Sequence, residues 1–149
     1  MTIKTSTGLR KHLAVTGSVK NALDGGLIKF YNGAIPATAD AAATGDNLWV
    51  VSLGGNGTGL VFDATAVGSA AVKPSAATWQ GPTSAGTPTY WRFVAAADDG
   101  SSDPTSLRIQ GSCGNTAGSD IYLTNPVLTT DSDVDAKVLD DFSVLILTD

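Results

Sequence analysis

Asp131, Asp133 and Asp135 alternate as the first three ligands of a calcium-binding loop do, and Asp98-Asp99-Gly100-Ser101-Ser102-Asp103 sets carboxylates beside hydroxyls. Oxygen donors at such spacing suit a hard cation. Neither stretch completes the pattern. Ala136 stands where the sixth-position glycine belongs, and the chain has no Glu to serve as a twelfth ligand. Asp and Ser also gather in turns because their short side chains bond to nearby backbone, so both stretches read as turns. His12, the only histidine, has no second His or Cys near it in sequence, and Cys113 in Gly-Ser-Cys-Gly lacks a Cys-x-x-Cys partner. The histidine reads as a surface residue and the thiol as a semi-buried structural one. No acid and base pair, activated nucleophile or ligand cluster emerges, so no catalytic residue, metal or cofactor is expected and the chain is not read as an enzyme.

Two further patterns stand out in the sequence. Gly54-Gly55-Asn56-Gly57-Thr58-Gly59 is glycine-rich, but a phosphate loop needs a Gly-Lys-Ser/Thr ending and a following helix. It reads as a hairpin or loop connection. Trp49, Trp79, Trp91, Tyr90 and Tyr122 could form a sugar-binding platform if at least two rings were exposed and coplanar. Aromatic residues in strands more often anchor cores or interfaces.

The elements that would hold these groups follow from composition. All fourteen acidic residues are Asp, and Ala, Gly, Ser and Thr make up nearly half of the 149 residues. Asp suits turns and caps, whereas Glu favours helices, so short strands with frequent turns are expected and long helices are not. Leu, Ile, Val and Phe number 35, enough for one folded core. The net charge of −5 and the scatter of the nine cations argue against a nucleic-acid partner. No apolar run is long enough for a membrane span, and the first fifteen residues lack a signal-peptide layout, so a soluble protein that stays where it is made is expected.

Alternation places strands at 27–31 and 47–53, the second apolar on both faces and so expected in mid-sheet. Leu60-Val61-Phe62 follows the glycine-rich loop, and further strands are expected at 67–73, 78–80, 90–96, 106–111, 120–124 and 142–148. The last is apolar on both faces except at Ser143, which predicts the centre of a sheet or an edge covered by a neighbouring chain. Turn clusters between them predict an all-β fold, an antiparallel β-sandwich of jelly-roll or Greek-key type. Gly8 to Val15 and Ser18 to Leu23 can form short helices, with Thr7 and Ser18 as N-caps. Residues 1–23 are therefore read as a partly helical docking arm and 24–149 as a single β-sandwich domain, with the domain expected to stay folded if the arm is deleted.

The segment Asp24-Gly25-Gly26-x-Ile28-x-x-Tyr31-x-Gly33-x-x-Pro36-Ala37-Thr38-Ala39-Asp40-Ala41-Ala42, with Gly45 and Leu48, carries a family resemblance. Trp79-x-Gly81, Gly86-Thr87, Arg92-Phe93, Asp98-Asp99-Gly100, Arg108-Ile109-Gln110-Gly111-Ser112 and Gly118-x-Asp120-Ile121 continue it. Together they resemble a recurrent small protein of tailed-bacteriophage structural gene modules, over roughly residues 8 to 148. Cys113 departs from the apolar or small residue expected there. The resemblance implies a virion component without enzymatic activity. The leading expectation is a capsid decoration, or cement, protein on the outside of the head, stabilising contacts between major capsid subunits, with self-association as a trimer. It would be made in the host cytoplasm and end on the virion surface. A tail or neck position and a carbohydrate-binding adhesion module are the alternatives. The arm and the 33–46 connection are the expected contact regions, with Leu9, Arg10, Lys11, Leu13, Ile35 and Pro36 as contact residues.

Overall fold

The two-residue alternation of Leu27–Tyr31 becomes a strand with those bounds, with Ile28 and Phe30 fully buried on one face. In the computed structural model, which describes residues 3–145, the elements in chain order are β1 (Lys4–Thr5), α1 (Thr7–Val15), α2 (Val19–Leu23), β2 (Leu27–Tyr31), β3 (Asn47–Leu53), β4 (Ala70–Val72), β5 (Trp79–Gly81), β6 (Tyr90–Val94), β7 (Arg108–Gly114), β8 (Ile121–Tyr122), β9 (Lys137–Val138) and β10 (Ser143–Leu145). The fold is all-β with two short helices. One eight-stranded sheet runs β1-β7-β6-β2-β3-β5-β9, with β8 beside β7, and β10 pairs β4 in a separate two-stranded sheet. Every pairing is antiparallel except β7 with β8. The architecture is sandwich-like, with the small sheet, α2 and the 60–62 segment lying over part of the large one.

The hairpins β2–β3 and β6–β7 join through the β2/β6 contact, and β3 lies inside the sheet as its apolar faces require. The register puts Ile28, Phe30, Trp49, Val51, Trp91, Phe93 and Ile109 on one face, where they meet Leu60, Phe62, Trp79 and Phe142 in the core. Phe30 stacks on Trp49 with ring centroids 4.5 Å apart, and Phe62 on Phe93 at 5.6 Å. The C-terminal strand, expected at the centre of a sheet or at an edge covered by a neighbouring chain, pairs only with β4 among the described residues; the predicted continuation over 146–148 lies outside them. Leu60 makes an isolated bridge to Gly26 and no regular strand forms there.

The N-terminal segment corrects two expectations. It is built into the domain it was expected to leave free. β1 pairs β7, and Leu9, Val19, Ala22 and Leu23 belong to the common core, with Leu9 0% exposed. Leu9 is therefore a core residue, unavailable as a docking contact. The first helix begins one residue earlier than predicted because Ser6, fully buried, caps it: its hydroxyl accepts from Leu9 N and from Arg108 N and donates to Ser106 O, tying the helix start to β7. Ser18 caps α2 as predicted.

Leu9→Ala should cost about 2–5 kcal/mol in denaturant unfolding, the range for emptying a buried leucine site. Deleting residues 1–23 should leave a chain without a cooperative unfolding transition. A truncated chain as stable as the whole would separate the segment from the core.

Candidate functional site

The opposite face of the large sheet carries the unexpected chemistry. In register across β2, β6, β7 and β1 stand Lys29, Arg92, Gln110 and Lys4, with Tyr31 opposite Tyr90 and Arg108 opposite Val94. Arg92 and Gln110 are 0% exposed and Arg108 is 1% exposed. Burying guanidinium groups is costly unless every donor finds an acceptor. Here the acceptors are the Gln110 amide, the Asp98 carboxylate and main-chain carbonyls, two of which belong to the 33–46 connection that lies across this face.

Arg92 donates through Nε and Nη2 to Gln110 Oε1 at 3.0 and 2.7 Å, and through Nη1 to the Ala41 carbonyl at 3.1 Å. Gln110 Nε2 donates to the Pro36 carbonyl at 2.9 Å, where Lys4 Nζ also arrives at 3.2 Å. Arg108 reaches the Ala39 carbonyl at 3.3 Å and the Ser101 carbonyl at 2.9 Å, and pairs with Asp98 through Nε at 2.5 Å and Nη2 at 3.0 Å. Both partners of that ion pair have side chains 1% exposed. Lys29 Nζ donates to the Asp98 carbonyl at 2.8 Å. The Tyr90 hydroxyl accepts from Thr44 N and donates to Thr44 O, and the Tyr90 ring stacks on Tyr31 with centroids 5.0 Å apart.

The connection must be thin for its carbonyls to reach these groups. Ala39 is fully buried, and a Cβ at Gly33 would lie 2.5 Å from the Thr44 carbonyl carbon. Gly45, at φ +74°, would drive a Cβ to 2.3 Å from Gly33 N. Asp40 then joins the connection to α1, accepting from Thr7 N and Thr7 Oγ1 at 2.7 Å each. The alanine, glycine and threonine content of this stretch is thus a fit to the sheet beneath it.

Electrostatics agree with the geometry. Burial lowers the Arg92 pKa, and burial followed by the neighbouring Tyr90 raises Tyr31 to about 12. The Thr7 hydroxyl hydrogen bond lowers Asp40. Asp103 is held to about 2 by hydrogen bonds from Ser106 and then Thr105. Cys113, in the core, is pushed up to about 12 by burial.

The six predicted contact residues are dispersed. Leu9 is in the core, Pro36 is buried with its carbonyl engaged, and Ile35 is half-buried. Arg10, Lys11 and Leu13 are exposed on α1, Arg10 donating to Thr5 O and Thr7 Oγ1. The connection is therefore a cover over its own sheet, and Pro36 does not offer its side chain to a partner. His12 is half-buried, with Nε2 3.1 Å from Asn21 Oδ1. In the two acidic stretches, Asp98 is held by Arg108 and Gly100 N, Asp103 by Thr105 and Ser106, and Asp131 by Asp133 N, the turn geometry expected of them.

The sugar-platform reading fails on burial. Trp49, Trp79, Trp91 and Tyr90 are at most 2% exposed, leaving Tyr122 as the single exposed ring of the five. Trp49 and Trp91 instead line a trough of about 710 Å³ in which Ile109, Leu123, Leu139 and Phe142 stand with Asp120, Lys137, Asp140 and Asp141, and Lys137 Nζ lies 5.6 Å from the centroid of the Trp49 ring. Sequence reasoning missed Arg92, Arg108, Gln110 and Asp98 as a group. The available signal for Arg92, Arg108 and Gln110 was their position, charged or amide side chains among apolar residues in strands, whereas Asp98 lies in a turn.

Comparison with protein-family models, with curated proteins and with solved structures finds no match.

Asp98→Asn should destabilise the fold by about 3–5 kcal/mol in denaturant titration, because it leaves Arg108 buried without its counter-charge. Asp99→Asn, on the exposed side of the same turn, should stay within about 0.5 kcal/mol. The depressed carboxylates set an acid limb: their contribution is complete above the ordinary value of 3.8 and is lost as pH falls toward about 2. The thermal midpoint should fall across that window, and less steeply in Asp103→Asn.

Proposed function

We propose that this protein is a structural component of a tailed-bacteriophage virion, a capsid decoration protein that binds the outside of the head and clamps neighbouring major capsid subunits. The observation that carries the reading is that the residues bearing the family resemblance include those that lock the 33–46 connection to the sheet. Arg92, Arg108, Gln110, Asp98 and the small residues of the connection make one rigid body, and their polar atoms are committed to one another.

Rigidity serves a clamp. A binder whose backbone is already ordered gives up little conformational freedom on docking. One that recognises only the assembled lattice stabilises that lattice by mass action, and contact with several subunits raises the effective concentration of each further contact. The partners on this reading are the major capsid protein and further copies of this chain, as a trimer, with no cofactor.

The test is to locate the protein in intact particles by electron cryomicroscopy and to count it. A copy number in fixed proportion to the major capsid protein, with density on the outer shell, is expected. A few copies, or a ring at one vertex, would move it to the neck or tail. Absence from particles would overturn the virion reading.

A further inference from the structure

The self-association within the proposed function, on which this inference rests, has a specific surface in the charge layout. The whole chain is acidic, yet no carboxylate precedes Asp24, while Lys4, Arg10 and Lys11 lie within the first eleven residues. The opposite holds near the other end: Asp131, Asp133 and Asp135 stand close together, with Lys137 the single cation between 131 and 141. Both regions also expose apolar side chains. Val15 at the end of α1 is 86% exposed, and Val134, between Asp133 and Asp135, is 49% exposed.

Topology keeps the two patches apart within one chain. β1, which leads into α1, pairs β7 at one end of the strand order, whereas β9, just after the acidic turn, pairs β5 at the other. The backbone of Val134 packs against Gly55 at the end of β3, and β6 and β2 separate β3 from β7. At roughly 4.8 Å per strand, those three steps span about 14 Å. The ion pairs among the described residues, Lys20 with Asp24 and Arg108 with Asp98, involve neither patch.

We propose that copies of this chain associate head to tail, the basic N-terminal face of one, with Lys11 and Val15, seating on the acidic 131–135 turn of the next, with Val134 at its centre. Asp40 lies beside Arg10 at the start of α1, so the positive charge next to the exposed Val15 is that of Lys11, one turn away, and it is complementary to Asp133 and Asp135 on either side of the exposed Val134. Opposite charge sets the orientation and burial of the valines adds the non-directional part. Each copy offers one patch of each kind; engaged with a different neighbour at each patch, the contact is heterologous and closes into a ring when its rotation permits. Two like patches would set like charges against each other, which disfavours the head-to-head arrangement.

Sedimentation of the full chain tests this without capsids, so its result is separate from head binding. At about 0.01 M salt the wild type should associate, and at about 1 M, where the screening length falls from about 30 Å to about 3 Å, it should dissociate more readily. Lys11→Asp, and Asp133→Lys with Asp135→Lys, should each weaken association at least about tenfold, and an equimolar mixture of the two variants should recover it. Val15→Asp should weaken it as well. All four positions are exposed, and unchanged thermal unfolding of each variant at a concentration where the wild type is monomeric verifies the fold. A monomer at every concentration in low salt, an oligomer indifferent to these changes, or a mixture that fails to recover would each overturn the head-to-tail contact. The particle copy number judges the capsid reading independently.

Discussion

Two guanidinium groups lie beneath one carboxylate, and the rest of the molecule is arranged around that imbalance. Arg92 and Arg108 are both buried on the same sheet face, and Asp98 alone supplies a paired negative charge. A buried cation without compensation costs several kcal/mol, so the remaining donors must meet oriented dipoles. The 33–46 connection provides them as main-chain carbonyls, at Ala39 for Arg108 and Ala41 for Arg92, with Gln110 bridging from Arg92 to Pro36. Peptide carbonyls are fixed in direction by the backbone, which makes the arrangement specific: a shift of the connection would strand several charged donors at once.

That requirement explains the composition better than a preference for loops does. A side chain larger than alanine at position 39 would hold the backbone away from the sheet, and Gly33 and Gly45 meet so closely that neither accepts a Cβ without movement. The absence of reactive groups in this stretch is the counterpart of its backbone's work. The two sheet faces thereby divide the labour. One is dry and aromatic, held by non-directional burial, and the other is polar and directional, held by hydrogen bonds whose geometry admits little variation.

Much of the architecture was legible because it depends on local pattern. The strands at 27–31 and 47–53 have the bounds that side-chain alternation predicts, and the Ser18 cap follows from residue type. What escaped was set by long-range pairing. β1 and β9 are two residues each, too short to show alternation, and exist because β7 and β5 offer free edges. The N-terminal segment looked detachable because α1 and α2 are too short to be stable alone, yet the same shortness is why their apolar residues must join a shared core. Arg92 and Arg108 were visible as residues but not as a pair, since their common partner, Asp98, lies in a turn that composition explains equally well.

The placement of charge inside and outside the molecule follows one logic. Of the three arginines, two are buried under the connection, and Arg10, with Lys11, remains exposed on α1. The Asp residues of the 98–103 turn are committed to Arg108 and to local backbone, whereas those at 131–135 face solvent. Interior charge is therefore bonded within the fold and fixes the shape of the body, while Lys11 and the 131–135 carboxylates stay exposed toward opposite ends of the strand order. In a fold organised this way the exposed charges keep their spacing, because the elements that carry them are tied to a common hydrogen-bonded interior.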